Sequence, residues 1–346
     1  MTSSFCSENF DKTHPVIMEA LVKANKGFVP SYGKDEETLK AIKNFRQWSG
    51  TKDVDVFFCF NGTGANNFAL SAVTEKYQAI YCTDVSHLYV AESTAPEALT
   101  GCRLNSIKSV AGKIDLDDLQ QKINQQSIVH SPLPGLLSVS QPTEYGTVYN
   151  RDELKAISAF CKKNQLLLHI DGARIFNALE SLNCAFSELI KAAKPDVFTI
   201  GGTKCGLMFG EAVLFFSPSR FKHLSLYHKR SMQLASKNRF IAAQYNALFK
   251  KKLWLKIAKH TNKLANYFET RVSSISKEAV LCRVETNTVF VKMDNKTFQQ
   301  LSKEACFYEW NKYQNETRFT FSFSNNKNEI DIFIAEYKKL FTIKKK

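Results

Sequence analysis

A lone lysine, Lys204, stands in the glycine-rich segment GGTKCGLMFG (residues 201–210), between the apolar runs Val197–Ile200 and Ala212–Phe216. A cation in the bend between two runs that read as buried needs a reason. Four other segments carry groups able to do chemistry. NGTGANN (61–67) places Gly62, Thr63 and Gly64 at what reads as a helix start, where free N–H groups and the helix dipole suit a phosphate. TDVSHLYVAE (83–92) carries His87, TEYG (143–146) carries Thr143 and Glu144, and HIDGAR (169–174) carries Asp171 and Arg174. Taken singly, each has a plain use: a turn, a loop histidine, a local ion pair, a surface lysine. NGTGANN lacks the third glycine of a dinucleotide fingerprint and the G-K-[ST] ending of a P-loop. Their joint occurrence is what carries weight.

The elements that would position them alternate. Asp55–Phe60, Ala79–Cys82, Leu136–Gln141, Leu166–Ile170 and Asp196–Ile200 read as short apolar strands. Gly64–Tyr77 and Asn150–Asn164 read as helices, the second with Asn150 as N-cap and Glu153 at the capping-box position. Alternation of this kind predicts an α/β domain with a mainly parallel sheet. In such sheets ligands bind beyond the carboxyl ends of the strands. Gly62 and Thr63, Glu144, Asp171 and Lys204 each follow a strand, so a phosphate binder, acids and a lysine would meet on one rim.

After residue 240 the texture changes. Residues 239–275 read as long amphipathic helix, TNTVFVKM (286–293) and ETRFTFSF (316–323) as strands, and NEIDIFIAEYKKLF (328–341) as a closing helix. We expect a large domain over 1–240 and a smaller α+β domain over 241–346.

Bulk properties narrow the class. A chain of 346 residues, 44% hydrophobic and 23% charged, is globular and long enough for about two domains. No apolar run approaches the roughly 20 residues of a membrane helix, and the opening residues MTSSFCSENFDKTHP do not read as a secretory signal. Nine cysteines, scattered singly and without C-x-x-C, fit free thiols in the cytoplasm better than a disulfide framework or a metal site. The net charge of +14, which includes the KKK tail at 344–346, comes with no nucleic-acid-binding motif. It is read as a solvated basic surface.

HIDGARIFNA (169–178) followed by GGTKCGLMFGEAV (201–213) resembles the threonine aldolases, enzymes of pyridoxal 5'-phosphate (PLP) with the aspartate-aminotransferase fold, fold type I. HPVIMEAL, YGKDEET, NGTGANN, TEYGTVY, QLASKNRF and ETRFTFSF follow in the family's order, so the likeness spans nearly the whole chain. The resemblance implies that Lys204 forms the Schiff base with PLP, that Asp171 pairs with the pyridine nitrogen, and that Gly62 and Thr63 hold the phosphate. It implies that His87 stacks over the ring and acts as, or positions, a base. Arg174, Arg318 and Ser7 would bind near the substrate carboxylate, where an arginine fork matches a carboxylate bidentately. The glycines around Lys204 would let the chain bend and a flat cofactor come close. The implied reaction is cleavage of L-threonine or L-allo-threonine to glycine and acetaldehyde. The implied assembly is a homodimer or homotetramer with shared sites, Tyr32 reaching a neighbour's site.

Three positions depart from the family's pattern. Ala91 stands four residues after His87, where an acid is common, with Glu92 beside it; Met232 precedes QLASK; Cys205 follows the lysine. Other reactions on the same fold, β-elimination or transamination, stay open, because fold does not decide reaction. So does a basic nucleic-acid-binding protein, which would lack the cofactor's colour.

Overall fold

The structure, a computed structural model, describes residues 4–127 and 129–343; the lysine tail at 344–346 lies outside them. The strands in chain order are β1 (Val54–Cys59), β2 (Gln78–Thr83), β3 (Arg103–Ile107), the short pair β4 (Ser109–Val110) and β5 (Lys113–Ile114), β6 (Leu133–Ser140), β7 (Leu167–Gly172), β8 (Val197–Gly201), β9 (Glu211–Phe216), β10 (Thr288–Lys292), β11 (Tyr308–Asn311) and β12 (Glu316–Thr320). Seven of them form one sheet in the order β1-β9-β8-β7-β6-β2-β3. β9 runs antiparallel to both its neighbours, and the pairs from β8 across to β3 are parallel. The two apolar runs that bracket Lys204 are therefore adjacent strands, paired Val197 to Phe215 through Gly201 to Glu211.

β8 and β9 are buried at every residue, which is why they read as continuous apolar runs rather than alternating ones. Successive side chains still divide between two faces. Phe198, Ile200, Ala212 and Leu214 enter the largest core cluster with Phe45, Ile175, Leu189 and Tyr245. Val197, Val213 and Phe215 meet Ala65, Phe68 and Ala69 of the helix Gly62–Val73 on the other side. The sheet is thus a middle layer between helices, the doubly covered α/β arrangement expected. The helix after Asn150 runs Arg151–Lys163 with the capping box intact: Asn150 Oδ1 accepts from the Asp152 and Glu153 N–H groups, and Glu153 Oε2 from the Asn150 N–H.

A three-stranded sheet, β10-β12-β11, backs a second cluster that includes Phe268, Val289, Phe319, Phe333 and, from the far end of the chain, Phe5. The long helix expected over 239–275 is two helices, Arg239–Phe249 and Leu253–Ser273, separated where Lys251 and Lys252 take left-handed backbone angles. Lysine is a good helix former, so the sequence carries no stop signal there. Both sides of the break pack in the larger cluster, Ile241, Tyr245 and Leu248 before it and Trp254, Ile257 and Ala258 after it, while Leu264, Ala265, Phe268 and Val272 belong to the smaller. The expected division at 240/241 falls within a helix of the larger cluster. We propose drawing it inside Leu253–Ser273.

Candidate active site

A cavity of about 920 Å³ opens at the carboxyl ends of the strands. Ser7, Gly62, Thr63, His87, Asp171, Arg174, Lys204 and Arg318 all line it, from six separate stretches of chain. Tyr32 does not; it is half-exposed, with the Lys229 ammonium 5.1 Å from its ring centroid.

Lys204 follows β8 in the 3₁₀ turn Thr203–Cys205. Burial, and next the charge of Arg174, lower its ammonium below the ordinary lysine value against the pull of Glu8, Asp171 and Glu211. The glycines before it do not leave room for a ligand. A Cβ on Gly201 would stand 2.1 Å from the Ala173 carbonyl oxygen, and one on Gly202 would stand 2.5 Å from that of Gly210. They let β8 press against the chain's own backbone. The bend itself is made by Gly206 and Gly210, at φ +89° and +126°. Behind the lysine, Glu211 Oε2 accepts from the Gly202 N–H at 2.9 Å. Burial pushes this carboxyl up to about 7, against the Thr203 hydrogen bond and the Lys204 charge.

One strand over, Asp171 is held from both sides: Oδ1 accepts from the Ala173 N–H at 2.9 Å and Oδ2 from Asn66 Nδ2 at 2.9 Å. Asn66 lies in the NGTGANN helix, and its amide nitrogen also reaches Glu92 Oε1 at 2.9 Å. Glu92 in turn meets His87 Nδ1 at 2.8 Å and accepts from Asn67 at 3.3 Å. The short helix His87–Val90 ends at Ala91, and the next residue turns its carboxylate, wholly buried, back to the imidazole. The acid missing at position 91 is thus supplied one residue later. Nδ1 faces the Glu92 carboxylate, whose oxygens also accept from two amides, which leaves Nε2 as the ring nitrogen available to a ligand.

At the helix start Asn61 Oδ1 takes the Gly64 N–H at 2.8 Å, so the Gly62 and Thr63 N–H groups are left to an anion. A Cβ on Gly62 would meet nothing within 4 Å; one on Gly64 would strike the Gln233 side chain, whose Oε1 accepts from the Phe60 N–H at 3.0 Å. Gln233, from QLASK, walls the cradle.

The arginines differ from expectation. The Arg174 fork is taken by Glu8, Nε to Oε1 at 2.6 Å and Nη2 to Oε2 at 2.9 Å, with Asn287 Nδ2 on Oε1 at 2.7 Å. Burial alone would raise the Glu8 carboxyl; the Arg174 guanidinium outweighs it and holds it at about 2. Two of the donors that could have forked a substrate carboxylate are committed within the protein. Arg318 is the less committed one. Its Nη2 makes only a long 3.4 Å contact to the Cys6 carbonyl, its buried Nε has no partner, and it lies 4.8 and 5.2 Å from the Tyr308 and Trp310 ring centroids. Ser7, beside Glu8, caps the turn Glu8–Phe10 by accepting from the Asn9 N–H.

Sequence reading had missed Glu8, Asn66, Gln233 and Glu211. Glu8 and Asn66 lie inside segments already singled out, one beside Ser7 and one within NGTGANN; Gln233 and Glu211 gave no signal beyond their motifs.

The residues that the sequence singled out thus line one cavity, and the doubly covered sheet is that of the fold-type-I PLP enzymes. The model of the beta-eliminating lyase family matches residues 4–304, and the chain belongs to that family. It is 38% identical over 305 residues to the low specificity L-threonine aldolase of Pseudomonas sp. strain NCIMB 10558, covering 88% of each chain. It is 37% identical to that of Pseudomonas aeruginosa, covering 87% of each. Among solved structures, the threonine aldolase of Leishmania major superposes with a TM-score of 0.92 at 27% identity, over 98% of this chain and 99% of that one.

Proposed function

We propose that this protein is a PLP-dependent aldolase that splits L-threonine, or its allo isomer, between Cα and Cβ to give glycine and acetaldehyde. The observation that carries the reading is the chain of contacts from Asp171 through Asn66 and Glu92 to His87. It ties the group that would hold the cofactor's ring nitrogen to the group that would act at the substrate's β-carbon.

When bound, PLP supplies an electron sink conjugated to Cα. Lys204 would hold the cofactor through its aldehyde, and its burial favours the neutral amine that this attachment needs. Asp171, fixed by two hydrogen bonds, would keep the ring nitrogen protonated. Gly62 and Thr63 would hold the phosphate on their N–H groups. Arg318, with Ser7, would take the substrate carboxylate, and Arg174, already bound to Glu8, would stiffen the same wall. That grip would orient the substrate and so decide which bond at Cα the cofactor weakens. His87 would lie over the ring, with Nε2 toward the β-hydroxyl, and act there or position the group that does.

A second copy would complete the assembly. Tyr32 lies outside its own chain's cavity, which supports a place at a neighbour's. The nine free cysteines among the described residues are consistent with a reducing cytoplasm, and no helix among those residues is long and apolar enough to cross a membrane.

Product analysis tests the reaction. Purified protein with PLP and L-threonine should give glycine and acetaldehyde in equal amounts, without a keto acid. Conversion of the cofactor to its amine form with no acetaldehyde would replace this reading with transamination.

A further inference from the structure

Glu144 has a buried carboxyl group with half its hydrogen-bonding capacity unspoken for. It follows β6 and lines the same cavity as Lys204, His87 and Asp171. Its Oε1 accepts twice, from Ser140 Oγ at 2.7 Å and from the His87 N–H at 3.0 Å. Its Oε2 is covered and has no partner. A buried carboxylate oxygen without a donor is costly and rare, which favours a turn of the carboxyl that brings Oε2 to the cavity its residue lines, where a ligand or water can supply one. The neighbouring acids are already engaged: Glu8 on Arg174, Glu92 on His87 and two asparagines, Asp171 on Ala173 and Asn66, Glu211 on Gly202. Of the acids around His87, Glu144 alone combines an unpartnered oxygen with a place on the cavity wall. The bond to the His87 N–H ties its position to the residue that would sit at the substrate's β-carbon.

Resting on the aldolase reading, we propose that Glu144 is a catalytic residue that takes the β-hydroxyl proton of the substrate on Oε2, with His87 positioning the substrate beside it. The proton leaves the β-oxygen for Glu144. The O–H electron pair becomes the second C–O bond of the departing aldehyde. The Cα–Cβ pair stays with the glycine half until a proton restores Cα, so threonine is accounted for as glycine plus acetaldehyde with no other reactant. Burial, opposed by the Ser140 hydrogen bond, raises the Glu144 carboxyl above the ordinary range, which makes it a stronger base than an exposed glutamate.

The test separates β-hydroxyl chemistry from everything else the site does. Glycine has no β-hydroxyl, yet its α-proton exchange in deuterated water needs the cofactor, Lys204 and the carboxylate grip. Glu144→Gln keeps shape and removes the base. It should lower kcat for L-threonine cleavage by about 10²- to 10⁴-fold, with glycine α-proton exchange within about threefold of wild type and bound cofactor unchanged by visible absorbance. Glu144→Asp, which retracts the carboxyl, should fall between. Cleavage by Glu144→Gln within about tenfold of wild type would overturn the proposal. So would a parallel loss of exchange and cleavage, which marks a structural role. Wild-type protein that exchanges glycine but yields no acetaldehyde from threonine would sink the aldolase reading itself, and this proposal with it; a cleaving wild type beside a cleaving variant sinks only the role of Glu144.

Discussion

Arg174 and Glu8 meet as two parallel hydrogen bonds in a buried wall of the cavity, and the sign of their effect on stability can be worked out. The Glu8 carboxyl lies at about 2 in the folded protein against an ordinary 4.5. A depressed acid stabilises the fold above its unfolded value and loses that contribution as pH falls toward the folded one, here from about 4.5 down to 2. At neutral pH the effect is on the order of 3 kcal/mol. Glu8→Gln should therefore cost about 3 kcal/mol at pH 7, since it strands the Arg174 charge, and should flatten the acid limb below pH 4.5. Urea melts across that range check both. For Glu92→Gln we expect PLP to bind as before while kcat/KM for threonine falls roughly 10- to 100-fold, because the imidazole loses the carboxylate that fixes its tautomer; steady-state kinetics with cofactor titration measure the two separately. At this scale the sequence was legible for residues that sit in recognisable motifs at strand ends: Lys204, Asp171, Gly62. It was not legible for partners chosen by folding. Glu8 and Arg174 are 166 positions apart, and no periodicity links them. The Ala91 departure looked like a lost acid because spacing along the chain was read as position in space; the helix His87–Val90 ends at Ala91, and Glu92 turns back to the imidazole.

The N-terminal strap ties the smaller cluster to the cavity, beside the helix Leu253–Ser273 that spans both clusters. Phe5 is anchored in the smaller one, 5.5 Å from Phe321 and 5.7 Å from Phe333 between ring centroids. Its backbone accepts from the Thr320 N–H and donates to the Cys306 carbonyl, both at 2.7 Å. Ser7 follows directly onto the cavity wall, and Glu8 behind it holds Arg174. Phe5→Ala should cost about 3–5 kcal/mol of stability and, by freeing the strap, raise KM for threonine more than it lowers kcat; a thermal melt and a substrate titration test the two halves of that statement. The regular elements were the easier part of the sequence. The capping box at Asn150 and the apolar strands fell within a few residues of expectation because local chemistry fixes them. The break at Lys250–Lys252 falls among good helix formers and gave no local signal; the anchoring of Phe5 was hidden because it is made by packing against residues far away in the chain.

For the whole molecule, the surface around Tyr32 argues for a second copy. Phe28 is fully exposed, Val22 and Met232 are 68% and 76% exposed, and the two stretches that carry them are joined by the Tyr32 N–H to Ser236 carbonyl bond and by Arg239 on the Lys26 and Gly27 carbonyls. Exposed apolar side chains on two stretches that the protein itself ties together suit a face that a second copy covers. Sedimentation should find a dimer or tetramer, and Tyr32→Ala should lower activity although Tyr32 touches no part of its own cavity; a fully active monomer would contradict the shared site. The central claim, however, is that one lysine among many holds the cofactor at the rim of this sheet, and it can be read directly. Protein loaded with PLP is reduced with borohydride, which fixes the cofactor to whichever lysine it has joined, and the peptides are weighed. The label should fall on the peptide containing Lys204 and be lost in Lys204→Ala. A label on another lysine, or an unchanged label in the variant, would contradict the claim.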